Sequence, residues 1–219
     1  MQDEPQFLAT SEVGSTRGVV VAIDVLRAFT TAAYGFDAGA REIWLVGGVA
    51  EAIELAADLG GAAVMGEDGG RRPAGFDLSN SPVAVAQADL DGRIVVQRTS
   101  AGTQGVVAAR SADRLFAASL VCASATARAI EGCGLGAPTY VLTGRMLDRE
   151  DRHGEDDLLT AELIERARTG RPLLADETAA GVAGSPEAMR TLAVGDGHVD
   201  PADIDLATEV DRFGFAMEV

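Results

Sequence analysis

Six short apolar runs, rich in β-branched residues and spaced by segments of helical periodicity, constrain this chain more than any other feature. Residues 18–23 (GVVVAI), 42–46 (EIWLV), 62–65, 93–97 (RIVVQ), 114–118 (RLFAA) and 138–142 each have the length and composition of a buried strand. Between them, 29–38, 49–59, 103–109 and 123–130 have helical character. In the second of these, Val49, Ile53, Ala56 and Ala57 recur at helical spacing before Gly60 and Gly61 stop the helix. Strand–helix alternation of this kind builds a parallel sheet with helices packed on it. The predicted class is α/β, a three-layer α/β/α fold. Further helices are predicted over 156–168, 185–192 and 201–210, and a last strand over 213–219. Residues 68–82, with three glycines and two prolines, read as a long loop.

No low-complexity linker interrupts residues 1–219, so a single domain is expected. Thr31 and Thr103, and likewise Ala40 and Ala112, recur at an offset of 72 residues. The offset suggests two similar halves, about 1–90 and 91–219, although ordinary α/β alternation produces the same correspondence.

Charge narrows the function. The chain carries 18 basic against 34 acidic side chains, a net charge of −16. A field of that sign repels nucleic acid, which is therefore not an expected partner. It also opposes small anions, so an anionic substrate requires a local reversal of sign by arginines, backbone N–H groups or a divalent cation. Every basic residue is arginine and lysine is absent, which excludes lysine Schiff-base chemistry and the P-loop lysine. What remains is the guanidinium fork, which grips phosphate, sulfonate or carboxylate through paired bonds. Cys122 and Cys133 are the only cysteines, and His153 and His198 lie far apart, so neither a disulfide framework nor a zinc cluster is expected. Residues 1–8 lack the basic and apolar regions of a secretory signal. No stretch approaches the roughly 18 apolar residues of a membrane span. A cytoplasmic protein that does not engage membranes is expected.

Three segments can carry chemistry. In IDVLRA (23–28) an apolar strand delivers Asp24 at its carboxyl end, and Arg27 follows within a turn. A carboxylate there can hold magnesium while the arginine takes an anion, and an Asp cap beside a solvated Arg satisfies the same spacing. In GEDGG (66–70) and GFDLSNSP (75–82), Glu67 and Asp77 bracket a loop in which Asn80 and Ser81 add neutral donors, as suits a hard cation or a set of turns and caps. In QRTSAGTQG (97–105), Arg98, Thr99, Ser100, Gly102 and Thr103 form a strand-to-helix turn able to meet a phosphate or sulfonate.

Other segments weigh less. Cys122–Arg128 (CASATAR) has the Cys-x5-Arg spacing of thiol phosphatases but no glycine to free its amides. Asp24 lacks the second aspartate of an Asp-x-Asp nucleophile, since Leu26 stands there. GEDD (154–157) heads a helix, where acidic residues are favourable without any function unless the fold brings that end beside Asp24.

IDVLRA, GFDLSNSP, the Ser100–Thr103 turn, SLVCASA (119–125) and the EDD-headed helix occur in an order that resembles 2-phosphosulfolactate phosphatases, over about 19–164 and more weakly through 198–213. The resemblance implies a magnesium-dependent phosphatase. Its substrate would be 2-phospho-3-sulfolactate, a small anionic ester cleaved to sulfolactate and phosphate in coenzyme M biosynthesis. Together with the segments above, it makes Asp24 and Arg27 the expected catalytic residues and Asp24 with Glu67 or Asp77 the expected magnesium site. Substrate would be held by Arg27, Asn80, Ser81, Arg98, Thr99, Ser100, Gly102 and Thr103, and a homodimer would fit the enzyme class. The chain departs from the family pattern at Asp68, where arginine is usual, and at Ala101, Gln104 and Cys122. Those departures leave two alternatives open: a hydrolase of another phosphorylated hydroxy acid, or a non-catalytic anion-binding protein.

Overall fold

A computed structural model describes residues 4–195 and 197–219. In chain order the elements are β1 (Gln6–Ala9), β2 (Val19–Ile23), α1 (Ala28–Asp37), β3 (Glu42–Val46), α2 (Val49–Asp58), β4 (Ala63–Gly66), β5 (Leu78–Ser79), α3 (Pro82–Ala86), β6 (Ile94–Arg98), α4 (Gly102–Ala108), β7 (Arg114–Ala118), α5 (Ala123–Cys133), β8 (Thr139–Leu142), α6 (Glu155–Arg168), α7 (Ala175–Ala183), α8 (Pro186–Ala193), α9 (Ala202–Ala207) and β9 (Met217–Glu218). The α/β class predicted from the alternation is the one observed.

The strands divide between two sheets, ordered β1-β8-β2-β7-β9 and β3-β6-β4-β5. All pairings are parallel except β7 with β9. Strands from either side of residue 90 enter both sheets. In β2 all five residues are buried, and its side chains alternate between two cores. Val19, Val21 and Ile23 face Phe116, Tyr140 and Leu142 together with Ile130, Leu163 and Ile164 of α5 and α6. Val20 and Ala22 face a second cluster, which joins Phe29 and Ala32 of α1 to Met65 and Val95 of the other sheet. A strand buried on both faces reads as a continuous apolar run, and each fully buried Val or Ile contributes about 1.5–3 kcal/mol. A third cluster packs Ala52 and Ala56 of α2 against Val64 and Val96.

Helix starts follow the local chemistry. Ser81 and Ser185 each accept the N–H three residues on and are followed by proline, which suits the first helical position. The predicted 201–210 helix shortens to α9. Past its end Asp211, at positive φ, turns back to cap α5 through the N–H and hydroxyl of Ser124. The 213–219 strand contracts to β9, since only Met217 and Glu218 pair with β7. β1, β5, α3 and α7 are not among the predicted elements, and β5 falls within the segment 68–82 expected to be a loop. β1 is four residues long and has one fully buried side chain, so pairing with β8 rather than its own pattern defines it. Among the described residues no helix is long and apolar enough to cross a membrane.

Candidate active site

A cleft of about 720 Å³ opens where carboxyl ends of strands from both sheets converge. Asp24 follows β2, Glu67 follows β4, Ser100 follows β6, and Thr143 and Gly144 follow β8; all five line it. Ligands of open α/β sheets collect at such ends.

Asp24 is buried, and its carboxylate accepts from the Ala28 N–H at 2.9 Å and the Thr143 hydroxyl at 3.3 Å. Burial, reinforced by the negative charge of Glu67, pushes its pKa up to about 6. Gly102 packs directly on it: a Cβ there would stand 2.8 Å from Asp24 Oδ2 and 2.6 Å from the Ala28 Cβ. Only glycine lets the β6–α4 turn approach this closely.

The amino end of α6 completes the floor. Asp156 and Asp157 are both buried, and Asp24 repels each. Burial, with the charges of Glu187 and Asp24, raises Asp156 to about 8; burial and its neighbours likewise hold Asp157 well above the usual carboxyl range. The two differ in their bonds. Asp157 accepts from the Val25 N–H at 3.1 Å and the Gly144 N–H at 2.8 Å, tying the ends of β2 and β8 together. Asp156 Oδ1 is buried and has no partner among the described residues. Gly154, in the left-handed region, makes this approach, since a Cβ there would lie 2.9 Å from the Arg145 nitrogen. The condition set for GEDD in the sequence is therefore met: the fold brings it beside Asp24.

Arg27, Arg145, Arg149, Arg152 and Arg190 line the same cleft, and of these Arg27 pairs with Asp203, Arg149 with Asp151 and Arg190 with Glu187. Arg152 and Arg190 each present a buried Nε with no hydrogen-bond partner among the described residues.

The other predicted site residues separate. Ser100 and Asn80 line the cleft, and Asn80 Oδ1 is buried without a partner among the described residues. Glu67 lines it too, but its oxygens accept from the Ser100 and Gly70 N–H groups and the Ser100 hydroxyl, so it clamps two loops. In the Thr99–Thr103 turn three backbone donors are already engaged. The Ser100 N–H goes to Glu67, the Thr103 N–H to Thr99 Oγ1 at 3.0 Å, and the Thr99 N–H to Thr103 Oγ1 at 2.9 Å. Arg98 lies behind the wall, bonded to the Gly47 and Glu67 carbonyls and to Asp68. Ser81 caps α3. Asp77 is exposed, lies outside the cleft and holds the Val64 N–H at 2.8 Å, so the fold does not bring it to Asp24. Cys122 sits in the core with its thiol pushed up by burial, away from the cleft.

Comparison with known proteins decides the family. The model of the 2-phosphosulpholactate phosphatase family matches residues 7–184. A probable 2-phosphosulfolactate phosphatase of Bacillus subtilis is 31% identical over 202 residues, 91% of this chain and 86% of the relative. One of Thermus thermophilus is 36% identical over 147 residues, 67% of this chain and 60% of the relative. One of Carboxydothermus hydrogenoformans is 42% identical over 108 residues, 49% of this chain and 44% of the relative. The chain belongs to the 2-phosphosulpholactate phosphatase family. Matches to the Thermus and Carboxydothermus relatives thus span about half of their lengths.

The family match includes Asp24, Arg27, Glu67, Asp156 and Asp157 and ends before Glu187 and Arg190 of α8, which also line the cleft. Arg145, Arg149, Arg152 and Arg190 carry no local signature. They follow strand ends and helices whose approach to Asp24 is set by the tertiary fold, so no spacing in the sequence could single them out.

Proposed function

We propose that this chain is a magnesium-dependent phosphoric monoester hydrolase that cleaves 2-phospho-3-sulfolactate to sulfolactate and phosphate. One observation carries it: a single cleft is lined both by buried, mutually repelling carboxylates and by five arginines, in a chain of the 2-phosphosulpholactate phosphatase family.

The donor set fits magnesium. It is all oxygen, Asp156 Oδ1 is unsatisfied among the described residues, and a cation would relieve the repulsion between Asp24 and Asp156. Among the described residues no three Asp, Glu, His or Cys side chains form a cage by themselves. Magnesium asks less, since it is commonly held by one or two carboxylates together with substrate phosphate. Asp24 and Asp156 would hold the ion, in place of the Asp24–Asp77 or Asp24–Glu67 pairs expected from the sequence. Bound there, it would polarise phosphoryl oxygens and acidify water.

The chain's own residues do the rest. Asp157 fixes the two strand ends that carry Asp24 and Thr143. A substrate bearing phosphate, carboxylate and sulfonate has three anionic groups to neutralise inside a protein of net charge −16. Arg27, Arg152 and Arg190 would supply planar, delocalised charge for them, Arg27 and Arg190 while braced by Asp203 and Glu187.

The test is phosphate release from 2-phospho-3-sulfolactate and from 2-phospholactate, each with magnesium and with EDTA. Release is expected only with magnesium, and kcat/KM should be at least about tenfold higher for the sulfonated ester, the worth of one charge-assisted contact. Equal rates in EDTA, or no release from either ester, would contradict the proposal.

A further inference from the structure

Arg27 would be of little use as an anion ligand if its guanidinium swung freely, and the structure shows what holds it. Both of its described hydrogen bonds leave from Nη1, to Asp203 Oδ2 at 2.7 Å and to the His198 carbonyl at 3.1 Å. The side chains of both ion-pair partners are almost wholly buried, 3% exposed for Arg27 and 0% for Asp203. With Nη1 anchored behind, the parallel N–H groups of Nε and Nη2 are the edge left for a bidentate grip in the cleft that Arg27 lines.

Asp203 is itself held from several sides. Its Oδ1 accepts from the Ser81 hydroxyl at 2.6 Å and the Val83 N–H at 3.2 Å, and its Oδ2 also takes the Asp200 N–H at 3.1 Å. Ser81 caps α3 directly after Asn80, which lines the same cleft. One carboxylate on α9 therefore ties together two wall segments more than fifty residues apart in sequence. It stands beyond residue 184, where the family match ends.

We propose that Asp203 is a positioning residue: it orients Arg27, and through Ser81 the Asn80 loop, to receive an anionic group of the substrate. This rests on the proposed phosphatase activity for its substrate and on the hydrogen bonds above for its geometry. A purely structural ion pair would affect folding alone. A positioning residue affects anion affinity in a protein that remains folded, and only while Arg27 is present.

The test is Asp203→Asn in the full chain, with Arg27→Ala and the double variant alongside. The dissociation constant of inorganic phosphate is measured by calorimetry in magnesium, together with KM and kcat. Asp203→Asn is expected to weaken phosphate binding at least about tenfold and to raise KM more than it lowers kcat. The double variant should bind no more weakly than Arg27→Ala, because coupled residues are non-additive. Should Asp203→Asn fail to fold, Asp203→Glu keeps the charge while displacing it by one methylene. The same loss of phosphate affinity is then expected at near-parental melting temperature. A folded variant with parental phosphate affinity and KM, or a double variant whose losses add, overturns the proposal. Phosphate binding is read without turnover, so failure of the phosphatase activity in the parent chain would be seen separately.

Discussion

Asp24→Asn is expected to lower kcat on the order of a thousandfold while leaving the fold intact and, at pH 8 without divalent cation, at least as stable as the parent. The loss follows from removing one of the two carboxylates proposed to hold the cation, in the cleft that the arginines also line. Stability moves the other way because this carboxylate is buried beside Glu67 and is repelled by it. Asparagine keeps an oxygen for the Ala28 N–H and removes the charge whose desolvation the fold must offset. Functional groups held against their own preference commonly stabilise a protein when they are neutralised. Rapid-quench phosphate release and a thermal melt read the two quantities. Activity within about tenfold of the parent would remove Asp24 from the chemistry, and a large drop in melting temperature would make it a structural residue.

The second large effect is on stability as a function of pH. Asp24 and Asp156 have folded-state pKa values of about 6 and about 8, above the ordinary carboxyl range. The native protein then binds more protons than the unfolded chain from about pH 4 up to those values, so stability falls as pH rises through that window. Without divalent cation, the melting temperature should decline between pH 5 and pH 8. Magnesium binds the ionised carboxylates and should restore stability chiefly at the upper end. At a hundredfold excess over its dissociation constant the gain is about 2.7 kcal/mol, which for a chain of this size corresponds to roughly 5–10 °C. Differential scanning calorimetry at pH 5 and pH 8, with EDTA and with magnesium, checks both directions. A melting temperature that rises from pH 5 to pH 8 in EDTA, or an equal magnesium effect at both pH values, would show that these carboxylates do not carry the predicted strain.

How much of this was legible in the sequence depends on the kind of interaction. The alternation of β-branched runs and helical segments located the strands that carry Asp24, Glu67 and Ser100, because hydrophobic periodicity is a local property. The division into two sheets was not legible, since a strand buried on both faces looks the same whichever sheet it joins. At the site, Asp24 and Arg27 could be placed because the end of β2 is fixed by its own apolar run. Thr99, Thr103 and Arg98 have the composition of an anion-binding turn, yet their donors are consumed by one another and by neighbouring carbonyls, which is a matter of tertiary geometry. Asp156 shows the converse. An acidic residue at a helix start has an adequate local explanation, and only the packing of α6 against the end of β2 turns it into a partner of Asp24. Arg190 and Asp203 lie on short helices near the carboxyl end of the chain, and nothing in those helices anticipates Arg27 or the cleft.

The most direct measurement is a crystal structure of the chain soaked with magnesium and sulfolactate. A cation bonded to carboxylate oxygens of Asp24 and Asp156 is expected, with the anionic groups of sulfolactate on Arg27, Arg152 and Arg190. A cation bound away from both aspartates, or sulfolactate seated outside the cleft, would contradict the proposal.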